Sequence, residues 1–159
     1  MIRIAIAEDH QALLDGIKLM LEFETDIEVV GEANDGEELL EIVKSKQPDL
    51  VLTDIRMPKC DGIAATRMIK KDYPEIQVVA FSMFDQEEAI LQMKEAGALG
   101  YIMKNSSLKK LIEARKIDGG EQFFTRAVDF GFTKTTDEAL TTWGKEKVLH
   151  DLVWAIRKF

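Results

Sequence analysis

Cysteine, proline, histidine and long apolar runs are all scarce in this chain. The single cysteine, Cys60, leaves no internal disulfide and no cysteine pair for a metal. The expected compartment is therefore a reducing cytoplasm. The two histidines, His10 and His150, stand at no triad-like position. There is no CxxC pair and no glycine-rich phosphate loop, which removes redox, P-loop and serine-hydrolase readings. No apolar stretch approaches the ~20 residues that span a bilayer, so no membrane partner is expected. The first apolar run is too short for a signal peptide and meets charge at once, at Glu8 and Asp9. Basic residues are also in deficit: 21 against 29 acidic ones, for a net charge of −8. That balance argues against a general affinity for nucleic acid or anionic membrane. Residues 119–159 hold six of each sign, without the basic surplus of a DNA-binding module.

What is present is a chain of 159 residues, 46% of them apolar, enough for one domain with a sizeable core. Apolar strand candidates at 2–7, 27–33, 49–53, 76–82 and 98–103 alternate with helical patterns. Leu13, Leu14, Ile17, Leu21 and Phe23 mark the first helix. Leu39, Leu40 and Val43 mark the second, with Asn34 or Asp35 as its N-cap. Ile63, Thr66 and Ile69 mark the third, ended by Pro74. Ala89, Ile90 and Met93 mark the fourth, ended by Gly97. Leu108, Leu111 and Ile112 mark the fifth, opened by Ser106 or Ser107 and closed by Gly119-Gly120. Five βα units in succession imply a parallel sheet with helices on both faces and right-handed crossovers. After the glycine pair, Phe123, Phe124, Phe130 and Phe132 show no clean periodicity. A last helix is expected after Thr135, with Leu149, Leu152, Val153 and Ile156 on one face. Trp143 and Trp154 are expected to fasten that tail to an apolar surface. Met20, Met57, Met68, Met83, Met93 and Met103 read as core filling.

Three of the strand runs end in charge. The first reaches Glu8-Asp9, the third reaches Asp54, and the fifth reaches Lys104. An open α/β sheet places its ligand site outside the carboxyl ends of its strands. Three carboxylates and one ammonium are thus expected on one rim. Carboxylates drawn together repel, and a chain tolerates this where a cation fills the gap; oxygen donors suit Mg2+. Ser82, at the end of the fourth strand, adds a hydroxyl. The remaining chemistry is Asp54 as a nucleophile that takes a phosphoryl group.

The motifs Glu8-Asp9-His10, Asp54-Ile55-Arg56-Met57-Pro58 with Asp61-Gly62, Phe81-Ser82, Gly97-Ala98 and Gly100-Tyr101-Ile102-Met103-Lys104 appear in that order. With them, residues 2–118 resemble a CheY-like response-regulator receiver domain. The order and spacing are most similar to the NarL/FixJ-like subfamily, whose receivers usually carry a LuxR-type helix-turn-helix. The resemblance implies a flavodoxin-like (βα)5 fold, a doubly wound parallel sheet of order 2-1-3-4-5. It implies Asp54 as phosphoacceptor. Asp9, Asp54 and the backbone carbonyl of Arg56 would hold Mg2+, with Glu8 acting mostly through water. Lys104 would contact the phosphoryl group, and Ser82 and Tyr101 would be the switch pair. A sensor histidine kinase is the implied partner, and a homodimer is a further implied state. Asn105 stands where many receivers have proline.

Residues 1–118 are expected to form the receiver, and 119–159 a linker and short C-terminal helical tail. A truncated or aberrant output domain is one reading of that tail. The 39 residues after Gly120 are too few for a complete LuxR-type domain, so sequence-specific DNA binding by this chain is not expected. The chain is read as a phosphoacceptor that assists its own phosphorylation and dephosphorylation, not as an enzyme with turnover. One alternative is an Mg2+-dependent phosphohydrolase resembling haloacid-dehalogenase-like proteins. Those usually carry a second aspartate two residues after the nucleophile, where this chain has Arg56. A second alternative is a DNA-binding regulator with an incomplete helix-turn-helix.

Overall fold

A computed structural model describes residues 1–82, 87–103 and 124–127, with Val153, Ile156 and Arg157 nearer the C-terminus. The expected fifth helix, Lys104, His150, Met83, Trp143 and Trp154 lie outside the described residues. In chain order the elements are β1 (Ile2–Ala7), α1 (Gln11–Leu21), β2 (Ile27–Ala33), α2 (Gly36–Lys46), β3 (Leu50–Thr53), α3 (Gly62–Asp72), β4 (Gln77–Ser82), α4 (Glu87–Glu95), β5 (Gly100–Met103) and β6 (Phe124–Ala127). The sheet runs β2-β1-β3-β4-β5-β6 and every pairing is parallel. Its first five strands have the expected order 2-1-3-4-5. The sixth strand was not foreseen. Phe-Thr-Arg-Ala shows neither the apolar run nor the alternation that marks a strand in sequence.

Strands covered on both faces read as continuous apolar runs, and all four residues of β3 are buried. The two faces differ in grain. Ala5, Ala7, Val51, Val78 and Ala80 meet Leu39 and Val43 of α2, Ala65 and Ile69 of α3, and Ile90 and Met93 of α4. Small strand residues let three helices sit close to the sheet on that side. Ile4, Ile6, Leu50, Leu52, Val79, Phe81 and Ile102 face the other way, against Leu13, Leu14, Ile17 and Leu21 of α1. Val153 and Ile156 join this second cluster.

Local signals explain most element ends. The Asp35 carboxylate accepts from the Glu38 amide at 2.9 Å and caps α2. The Asp61 carboxylate does the same for α3 through the Ala64 amide at 2.8 Å. Gly97, at φ +100°, turns the chain out of α4, where the Gly97 and Ala98 amides bond the Lys94 and Met93 carbonyls. Two expectations need correction. Phe23 lies beyond α1 and is 75% exposed, because that helix stops at Leu21. Met68 is half exposed on the outer side of α3, while Met57 and Met93 are buried as expected.

Candidate functional site

Strand register builds the site. Ala7 pairs with Thr53, Thr53 with Ala80, and Ala80 with Tyr101. The next residues of β1 and β3 therefore emerge side by side at the carboxyl rim. They are Glu8 and Asp54, and the Asp54 amide extends the ladder to the Ala7 carbonyl at 2.9 Å. Glu8 is tied on the other side by its own amide, which donates to the Ala33 carbonyl at 2.9 Å. Carboxylate oxygens of Glu8, Asp9 and Asp54 all lie within 4.8 Å of one another. Glu8 and Asp54 are only 2% and 9% exposed, whereas Asp9 opens to solvent.

Such a gathering opposes itself. Two unit charges 4.8 Å apart repel by about 3 kcal/mol at an effective dielectric of 20. Part of the cost is met locally. The Asp54 Oδ1 accepts from the Ile55 amide at 2.7 Å, and the Glu8 Oε1 accepts from the His10 amide at 3.2 Å. The donor set is oxygen only, compact and partly open to water. This suits a hard divalent cation that keeps some of its waters.

The loop after Asp54 is held firmly. The Gly62 amide donates to the Ile55 carbonyl at 2.7 Å. A Cβ on Gly62 would lie 1.9 Å from the Asp54 carbonyl oxygen, so only glycine allows α3 to start there. The Lys59 ammonium reaches the Asp35 carboxylate at 3.0 Å, and the Gly36 amide bonds the Cys60 carbonyl at 3.0 Å. Lys59 sits at φ 64°, a left-handed conformation that a non-glycine residue adopts only when its surroundings enforce it. The Asp35 carboxyl is held below its usual range, first by the Glu38 amide and then by Lys59. The Asp35–Lys59 anchor was not read from the sequence. Its signal was the Asn34-Asp35-Gly36 cap, which gives no hint of a partner in a distant loop.

The remaining expected residues fall as follows. Ser82 ends β4 and is fully buried. Tyr101 on β5 is fully buried too, packed with the α2–α4 side. It is not on an edge, because β6 pairs with β5 on its outer side. Met103, the residue before Lys104, stands opposite Ser82. Arg56 lies in the loop after Asp54 with an exposed side chain, and His10 is exposed at the start of α1.

The comparisons with known proteins agree with the fold. Residues 4–116 match the response regulator receiver domain family, and the chain belongs to that family. It is 40% identical over 116 residues to the transcriptional regulatory protein DegU of Brevibacillus brevis, covering 73% of this chain and 49% of that protein. The chain spans about half the length of the curated relatives it matches. The isolated REC domain of RcsB from Salmonella enterica serovar Typhimurium superposes with a TM-score of 0.63 at 26% identity, covering 77% of this chain and 92% of that one. The response regulator domain of Thermotoga maritima CheB shares the fold, with a TM-score of 0.69 at 23% identity over 99% of this chain and 95% of that one. This chain carries the receiver domain of a two-component response regulator. Among the described residues, no helix is long and apolar enough to cross a membrane.

Proposed function

We propose that this chain accepts a phosphoryl group on Asp54 from the phosphohistidine of a sensor kinase. The observation that carries the reading is the meeting of the Glu8, Asp9 and Asp54 carboxylates on one rim, beside the buried Ser82. An Asp54 oxygen attacks the phosphorus, the phosphorus–nitrogen bond breaks, and the imidazole leaves with its electron pair. Glu8, Asp9, Asp54 and the Arg56 carbonyl would hold Mg2+, which when bound offsets negative charge on the transferring group. Lys104, next to Met103 in sequence, would pair with a phosphoryl oxygen. The Ser82 hydroxyl would turn toward the acyl phosphate, and Tyr101 would follow as its switch partner. A local charge thereby biases the surface of α4 and β5 between two states and alters contacts with a partner or a second copy. Residues 1–118 carry this activity in the cytoplasm, followed by 119–159 as linker and tail. The proposal does not extend to sequence-specific DNA binding by this chain, although relatives such as DegU are named as transcriptional regulators.

Intact-mass analysis after incubation with Mg2+ and acetyl phosphate tests the reading. One phosphoryl group on the parent and none on Asp54→Asn is the expected result. Uptake by the variant would overturn it, and sustained turnover of phosphate esters would favour a phosphohydrolase.

A further inference from the structure

The α1 face of the sheet extends over β1, β3, β4 and β5, through Ile4, Ile6, Leu50, Leu52, Val79, Phe81 and Ile102. The helix α1 itself joins β1 to β2, at one side of that surface. Val153 and Ile156 complete the same cluster, 4% and 2% exposed. Both are helical, three residues apart, on the apolar face that also includes Leu149 and Leu152 in the sequence pattern. Ile156 lines a hollow with Met1, Ile2, Leu50 and Gln77, at the amino ends of the strands. Arg157 then grips the turn between α1 and β2. Its Nε donates to Asp26 Oδ2 at 2.8 Å, and its Nη2 donates to Asp26 Oδ1 at 2.6 Å and Glu24 Oε2 at 2.7 Å. A fork of this kind orients as well as attracts.

We infer that the α1 face is a binding slot for an amphipathic helix ending in arginine, and that its occupant is this chain's own C-terminal stretch that carries Val153, Ile156 and Arg157. Val153 and Ile156 supply the apolar anchor, and Arg157 meets the acidic pair Glu24 and Asp26.

Two experiments on the full chain and its variants decide this. In the first, Arg157→Glu and Asp26→Lys are made singly and together, with hydrogen exchange read at α1 amides. Each single change is expected to raise α1 exchange severalfold, and the pair to restore protection. Unchanged exchange in the single variants would overturn the inference. In the second, the chain is ended after Lys147. A fall in Tm of roughly 10 °C with loss of α1 protection is expected, from re-exposing two aliphatic side chains and the surface beneath them. Unchanged Tm and protection would mean that another segment holds the face, and the inference fails. Should the shortened chain not fold, the charge exchange in the full chain still decides. α1 protection that falls on dilution would assign the helix to a second copy and overturn the intramolecular occupant.

Discussion

At the amino rim of the sheet, acidic groups meet donors. The Asp49 carboxylate accepts from the Arg3 amide at 2.8 Å, the Arg3 guanidinium bonds the Gln47 carbonyl at 3.0 Å, and Arg157 holds both Asp26 and Glu24. At the carboxyl rim, about the length of a strand away, Glu8, Asp9 and Asp54 are drawn against one another, with two of the three buried. The same residue types thus do opposite work. At the amino rim they close turns and fasten the tail. At the carboxyl rim the ladder and the clamped Asp54–Gly62 loop hold them together, an all-oxygen arrangement that suits a cation. Removing a carboxylate should therefore cost stability at one rim and relieve strain at the other.

Substitutions at the two rims test that contrast. The largest effect is expected from Asp54→Asn, which should abolish phosphoryl uptake in intact-mass spectra while leaving the circular-dichroism spectrum of the parent. Gly62→Ala comes next. Its Cβ has nowhere to go but into the Asp54 carbonyl, and a loss of about 3 kcal/mol is expected in urea unfolding, with phosphoryl uptake slowed as the loop shifts. Glu8→Gln should act in two directions. Without Mg2+ the variant should be more stable by about 1 kcal/mol, because a buried like charge is gone. Its Mg2+ affinity should fall roughly tenfold by titration calorimetry. A destabilised apo form of Glu8→Gln would break the contrast. Asp26→Asn at the amino rim should lower Tm in the absence of Mg2+, by roughly 2 °C, since it costs Arg157 its best partner.

The smallest effect is a difference in acid sensitivity. The Arg157 fork holds the Asp26 carboxyl below its usual range. A depressed carboxylate contributes stability that is complete above its unfolded value. That contribution fades as pH falls from about 4 through the lower folded value. Melting scans between pH 7 and pH 2 should show the parent losing more Tm in that acid window than Asp26→Asn does. Equal losses would show that the fork contributes nothing measurable in water.

Much of the carboxyl rim was legible in the sequence. Its residues sit at the ends of short apolar runs, and parallel strands in register bring their last residues together whatever the loops do. Glu8, Asp9, Asp54 and Ser82 were read in this way, and the resemblance to receivers added Tyr101. The glycine at position 62 belonged to the matching motif, but its reason is visible only when the Asp54 carbonyl is seen against it. For the left-handed Lys59 and its reach to Asp35 the sequence showed only the Asp35 cap and no partner for it, since the two lie in different loops and Lys59 could have been a solvated charge. Phe23 was misjudged because spacing cannot tell where a helix stops.

The tail was least legible. Phe124–Ala127 is too short and too polar to announce a strand, and it gains its place from the open edge of β5, which offers a row of backbone groups to any chain that can reach it. By itself the sequence determined what local patterning and strand ends can specify: five parallel strands with four helices between them, a doubly wound sheet and an acidic rim with a buried hydroxyl at a strand end. Tertiary structure alone decided which segments complete the sheet and cover its α1 face. Such long-range pairings depend on which edge and which apolar surface remain uncovered once the nearer elements have packed, and no local stretch of residues encodes that.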